Sequence, residues 1–514
     1  MNRWSAMVVL LAIAGALALR VPGLATRPLH NDEAVNAVKV SELWKHGRYV
    51  YDPDEHHGPS LHYATLPFLW VSGARNSDEL DDATLRLAPV AFGVGLILLL
   101  PLFAEGLGRH ALAWAAVFTA VSPAMVFYSR YFIHEMLLVF FTALTLGAGW
   151  RYARTRSARW AAGAGAGLGL MSTTKETFVI TVAAMGLAGI VTAGWTTPKR
   201  DRFRSLLALW NWRHAALASS AAFAVWLLLF SSFFHNFEGL LDSARAYLPW
   251  LKRAGGSSPH IHPWSFYLER LAWFHPAKGP FWSEGLILVL AALGAVESLV
   301  SDKSSLRRFL TLYTIILTAA YCAISYKTPW CLLSFFHGMI LLAAVGAASS
   351  VEFFRARSKK ILVATVLAAM TLQLSWQAWR ASVVYSADRR NPYVYAQTAP
   401  DLLKLVQRTE GLARVAPAGY ETVVKLIAPE SDYWPLPWYL RRFKHLGWYE
   451  KLPDDPYAPI VVVSSKLDAR LDEKSGRKWI LVGLTELRPG KFFESYVEIE
   501  LWKKYVETLP RERD

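Results

Sequence analysis

The chain is 514 residues long, 54% hydrophobic and 18% charged, with a mean hydropathy of +0.23. It is too apolar and too long for one ordinary soluble domain, and the composition points to a protein that crosses a membrane several times. The formal charge of +15 and pI of 9.6 would suit a nucleic-acid binder, but the placement of that charge, described below, excludes nucleic acid as the expected partner.

In chain order, apolar runs near 4–21, 86–104, 110–127, 132–150, 160–172, 177–195, 214–234, 283–300, 309–325, 331–349 and 360–379 are candidate spans, each near the roughly 20 residues a bilayer requires. About eleven crossings are expected. The first run also has the makings of a signal peptide, with Arg3 ahead of it and "GLA" behind, but further spans follow and none needs a cleaved leader. The run "AAGAGAGLGL" is short and small-residued, which suits close helix–helix contact.

Lys and Arg are retained on the cytoplasmic side of short loops. The loops "RYARTRSAR", "TTPKRDRFRSLLALWNWRH", "SDKSSLRR" and "EFFRARSKK" each carry three to five of them against at most one acid, so they are placed inside. Topology thus accounts for nearly all of the net charge. Segment 22–82, with ten acids against five Lys or Arg, is placed outside together with everything beyond about 380. The chain is expected in the plasma (inner) membrane. Cys322 and Cys331 flank the "YKTP" hairpin and read as packing thiols, with a meeting between them left open.

After Arg380 charged residues rise and apolar runs shorten. "APIVVVSSKL" and "KWILVGLTEL" predict buried strands, "SYVEIELWKKY" a half-exposed strand, and "PDLLKLVQRTEGL" an amphipathic helix. The expected architecture is an α-helical polytopic membrane domain over 1–380, including the outer loop 22–82, followed by an extracytoplasmic α/β domain over 381–514.

Ionisable residues at the ends of spans need a partner or a task. They collect on the outer side: Asp32 and Glu33 after span 1, Arg130, His134 and Glu135 in "YSRYFIHE", Lys175 and Glu176 in "STTKET", and Lys327 in "SYKTPW". A shared outward cavity is the simplest account. Asp32 is either an N-cap alone or a general base held at a helix start, with Glu33 as neighbour or metal ligand. Glu135, one turn into an apolar run, calls for a cation, and Arg130 lies five residues before it. Arg130, Lys175 and Lys327 suit an anionic leaving group, although snorkelling alone would also explain them. His134 is a candidate substrate contact or a packed histidine. "DEHHGPSLHY" adds His56, His57 and His62, and a divalent metal on Asp32, Glu33 and His57 is left open, since the spacing matches no ligand signature. Trp434, Trp438 and Tyr439 are candidates for stacking on sugars or for packing at the membrane interface.

The motifs "HNDEAVNA", "HHGPSLHY", "SRYFIHEMLLVFF", "STTKETFVI", "YKTPW", "NPYVYAQT" and "DYWPLPWYLR" taken together resemble the GT-C glycosyltransferases. The similarity is to the protein O-mannosyltransferase and aminoarabinose transferase type, and within it to a bacterial and archaeal branch associated with flippase activity. The resemblance implies an inverting enzyme that moves a sugar from a polyprenyl-phosphate donor, held in the lipid bilayer, to an unspecified acceptor hydroxyl. It matches Asp32 to the catalytic acid, Glu33 to its partner, and Arg130 with Glu135 to a second charged motif. The mannosyltransferases' His-Pro-Pro is His57-Gly58-Pro59 here, and no sugar-binding repeat domain is inserted. A non-catalytic, lipid-linked-sugar-binding partner of a flippase is the alternative from another class. A transporter fits less well, because no second polar set lies at mid-membrane.

Overall fold

A computed structural model describes residues 3–54, 57–196, 211–249, 260–301 and 304–510. His56 and much of the basic loop after 196 lie outside the described residues. The chain divides into two compact units, one of residues 1–24, 42–73 and 83–395, the other of 25–41, 74–82 and 396–514.

The longer helices in chain order are α1 Arg3–Arg20, α2 Asn31–His46, α3 Ser60–Ser72, α4 Asp82–Leu99, α5 Arg109–Val121, α6 Glu135–Thr155, α7 Ala158–Ser172, α8 Phe178–Thr196, α9 Trp212–Phe230, α10 Gly285–Val300, α11 Ser305–Ala323, α12 Leu333–Phe353, α13 Arg357–Trp379, α14 Asp401–Val415 and α15 Ile499–Glu507. Every candidate span of the sequence falls on one of them. Among the described residues seven helical stretches are long and apolar enough to cross a bilayer: α1, α4 continued to Leu107, α6, α8, α9, α12 from Pro329, and α13 continued to Val384. The remaining four candidate spans are α5, α7, α10 and α11, so the expected eleven stands as seven by this measure.

Small residues set the helix contacts. A Cβ on Gly294 of α10 would stand 2.0 Å from the Leu342 carbonyl of α12, and one on Gly346 of α12 would stand 2.0 Å from the Leu290 carbonyl of α10. The two backbones touch, which dispersion and close packing favour where lipid removes any hydrophobic drive between helices. The "AAGAGAGLGL" run does the same as α7, where Gly165 and Gly169 press on the Ala218 and Ala222 carbonyls of α9. α12 lies at the centre, with 89% of its most apolar stretch buried, against 6% for α9.

The second unit holds a five-stranded mixed sheet in the order β2-β1-β3-β5-β4, with β1 Val424–Ile427, β2 Leu446–Tyr449, β3 Ile460–Ser464, β4 Trp479–Arg488 and β5 Lys491–Glu498. β1 runs parallel to β2 and β3, while β5 is antiparallel to β3 and β4. β3, "IVVVS", is buried along its whole length because it sits mid-sheet with a core on each face. Val424, Leu426, Ile460 and Val462 face Leu402, Leu405 and Leu412 of α14, and Ile427, Val461 and Val463 face the other side. "SYVEIELWKKY" departs from expectation: its strand ends at Glu498 and the rest is α15. Leu501, Trp502 and Tyr505 recur at helical spacing and pack with the α14 face, so the 3.6-residue period prevails over the alternation read before it.

Candidate functional site

In the membrane unit, two loops pair by their backbones. Gly58 N–H donates to the Thr174 carbonyl at 3.1 Å, Ser60 N–H to the Thr173 carbonyl at 3.0 Å, and the Ser60 and Thr174 hydroxyls meet at 2.7 Å. Only glycine fits at 58, since a Cβ there would lie 2.2 Å from the Thr173 carbonyl oxygen. This pairing brings His57 to Glu176, with Nδ1 2.7 Å from Oε2, while the Tyr51 hydroxyl donates to Oε1 at 3.2 Å. Burial alone would raise the Glu176 carboxyl, but His57, the local backbone and Lys175 outweigh it and hold the group below its ordinary value.

His134, just ahead of α6, donates Nε2–H to the Gly58 carbonyl at 2.9 Å. The rings of His57 and His62 stand edge-on to it, with centroids 5.3 and 5.6 Å away, and Tyr49 stacks on His62. Burial, then His57, His62 and Lys175, hold His134 well below the usual histidine value, so it is neutral. With Nε2 carrying the proton, Nδ1 is a buried acceptor without a hydrogen-bond partner among the described residues.

Glu135 opens α6 and forms a buried ion pair with Lys175. The cation it calls for is therefore Lys175. Burial opposes the charge on Lys175, yet the Glu135 carboxylate outweighs it and holds the ammonium above its ordinary value. Arg130 turns instead to the end of α1, donating to the carbonyls of Arg20 at 2.9 Å, Pro22 at 2.6 Å and Gly23 at 3.0 Å, where the helix leaves its negative end. Lys327 donates to the carbonyls of Ile324 and, at 3.3 Å, His262. It is buried, pairs with no carboxylate among the described residues, and burial pulls its ammonium below the usual lysine value. Cys322 and Cys331 are both free thiols.

Asp32 and Glu33 belong to the other unit. There the start of α2 is a reciprocal cap. The Asp32 N–H donates to His30 Nδ1 at 3.1 Å, and Glu33 at the third helical position accepts the His30 N–H at 2.8 Å. The cap is thus His30, and Asp32 lies in the first turn. Glu33 is fully buried and receives Arg27 through both oxygens, at 2.9 and 3.2 Å, while Arg27 also donates to Gln397 at 3.1 Å. Asp32 by contrast has its side chain 48% exposed. Of the adjacent acids, one is locked and the other is presented. Around Asp432 gather Arg488 at 3.1 Å, Lys466 at 3.3 Å and Lys491, and Arg488 also lies within electrostatic reach of Asp32.

No three His, Cys, Asp or Glu side chains group as a metal site among the described residues. Glu33 is already occupied by Arg27 and the His30 N–H, so the set Asp32, Glu33 and His57 does not fit a metal and no step is assigned to one. Trp438 is buried and donates to Asp82 at 2.8 Å, and Tyr439 donates to the same carboxylate at 2.6 Å, so both hold this unit together. Nothing in the sequence pairs Tyr51 with Glu176 or Gln397 with Arg27, although Gln397 lies within "NPYVYAQT". Arg27 stands close before a helix start with Glu at its third position, which is a readable cue.

Residues 60–240 match the family model of dolichyl-phosphate-mannose-protein mannosyltransferase. No curated protein sequence matches the chain. Among solved structures, the fold is similar to ArnT from Cupriavidus metallidurans bound to undecaprenyl phosphate, at 16% identity and a TM-score of 0.60, over 95% of this chain and 97% of that one. It is also similar to the Archaeoglobus fulgidus oligosaccharyltransferase, at 14% identity and 0.55, over 90% and 68%. A third similarity is to the arabinofuranosyltransferase AftD from Mycobacteria, at 14% and 0.51, over 97% and 40%. The chain therefore shares its fold with these three structures, and the family match covers residues 60–240, about a third of its length.

Proposed function

We propose that the chain moves a sugar from a polyprenyl-phosphate donor to an acceptor hydroxyl, in one inverting displacement, with Asp32 as general base. The observation that carries this reading is the division of labour at the start of α2: Glu33 is buried and paired, whereas the Asp32 carboxylate is half exposed. Asp32 takes the proton of the acceptor hydroxyl, the oxygen bonds to the anomeric carbon, and the bond to the lipid phosphate breaks with its electron pair leaving on the phosphate. Within the membrane unit, Lys327, whose charge meets carbonyls, is the cation best suited to a phosphate, because Lys175 is neutralised by Glu135 and Arg130 serves the end of α1. The buried Nδ1 of His134 is an acceptor for a donor hydroxyl. The similarity to ArnT bound to undecaprenyl phosphate supports the donor class. The same reading places the C-terminal unit outside the cytoplasm.

The test supplies purified protein with a radiolabelled polyprenyl-phosphate sugar and a mixed acceptor fraction, and follows release of free lipid phosphate. Asp32→Asn should lower turnover by about 10²–10⁴ with donor binding retained. Full turnover by folded Asp32→Asn would remove the base. Donor binding by the wild type without release would favour the non-catalytic flippase partner.

A further inference from the structure

A pocket of about 510 Å³ opens where α13 ends, lined by Gln373, Trp376, Arg380, Tyr385, Lys278 and Arg390. It contains none of the residues assigned to the transfer reaction. Arg390 is neutralised by Asp388, with contacts of 2.6 to 3.0 Å. Arg380 is different: its guanidinium lies over the Trp376 ring at 4.6 Å and the Tyr385 ring at 4.9 Å, and it donates to the Tyr385 hydroxyl at 3.1 Å. Neither Arg380 nor Lys278 pairs with a carboxylate among the described residues, so the pocket holds two uncompensated cations. One of them is held in place by flanking aromatic faces.

α13 starts with the basic run Arg357, Lys359 and Lys360, and its 23 residues rise roughly 34 Å, close to the thickness of a bilayer's hydrocarbon core. The pocket therefore lies at the opposite interface from that run. Exposed Trp376 and Phe281 line it, and exposed Trp273 packs on Phe281 with ring centroids 4.1 Å apart, as aromatic side chains do at headgroup depth. From the pocket an exposed apolar stripe, Met370, Val366 and Leu362 at four-residue spacing, runs back along α13. We propose that this pocket binds the phosphate of an anionic two-chain phospholipid, with Arg380 and Lys278 on the phosphate and the acyl chains along the α13 stripe. The stripe favours a lipid over free phosphate, because a soluble anion would gain nothing from it.

The test uses the full chain in nanodiscs and measures lipid retention by native mass spectrometry. Phosphatidylglycerol should be retained over phosphatidylcholine, and each cation should contribute about fivefold to that preference. Lys278→Gln/Arg380→Gln should reduce it by about tenfold or more. Lys278 is exposed on a loop, so Lys278→Gln alone keeps the test available if the double variant fails to fold, and Lys404→Gln, on the exposed face of α14, should leave the preference unchanged. Equal retention of both lipids by the wild type, or a preference that survives in Lys278→Gln and in the folded double variant, would overturn the assignment. So would displacement of the lipid by millimolar inorganic phosphate, or retention of undecaprenyl phosphate with no retention of phosphatidylglycerol.

Discussion

His30 shows how much a single side chain decides. Its Nδ1 accepts the Asp32 N–H, so that nitrogen must carry a lone pair and not a proton. Burial first, then Arg27 and Arg488, depress its pKa below the ordinary 6.5, against the opposing pull of Asp32 and Glu33. A group with a depressed folded value contributes stability above its unfolded value and loses it as pH falls toward the folded one. The cap should therefore weaken as pH drops below about 6.5. His30→Ser keeps a capping oxygen that does not titrate, at a cost within about 1 kcal/mol. Thermal unfolding followed between pH 7 and 5 should show a smaller acid-induced drop in Tm for His30→Ser than for the wild type, and an equal drop in both would exclude His30 as the titrating group.

At the scale of elements, glycine placement decides how closely the helices approach. Gly294 and Gly346 are mutual contacts between α10 and α12, each with a carbonyl of the other helix where a Cβ would stand. Gly346→Leu has nowhere to put its side chain except by parting the two helices, and it acts on the most buried helix of the bundle. Its cost should be about 2 kcal/mol or more, at the upper end of overpacking effects. Fluorescence-detected size-exclusion chromatography after heating should show an earlier loss of the monodisperse peak. By contrast Gly149 has open space at the Cβ position, so Gly149→Ala should leave that profile unchanged.

For the whole molecule, the positive-inside pattern and the C-terminal unit make one topological statement. With Cys322→Ser and Cys331→Ser as background, a thiol at Arg154→Cys, after α6, and one at Lys404→Cys, on α14, both fall at exposed positions. A membrane-impermeant maleimide added to intact cells should label the second and not the first. The reverse pattern, or equal labelling, would overturn the proposed sidedness of the C-terminal unit.

Much of the helical architecture was legible because apolar length and Lys/Arg bias are local quantities: all eleven candidate runs became helices, as did "PDLLKLVQRTEGL". The small-residue run announced its close contact for the same reason, since absent side chains leave room wherever they face. Strand "IVVVS" was also readable, its unbroken β-branching needing apolar neighbours on both sides. The tail of "SYVEIELWKKY" was not, because alternation and helical period overlap over so short a run and only the α14 face selects one.

By itself the sequence determined which residues carry charge into an apolar chain, and hence that each needed a partner. Which partner each one found was decided by tertiary structure, because hydrogen bonds and ion pairs act only over a few ångströms. Lys175 claimed Glu135, Arg130 closed the end of α1, and Arg27 took Glu33 out of reach of chemistry. That sorting left Asp32 as the exposed acid of the adjacent pair.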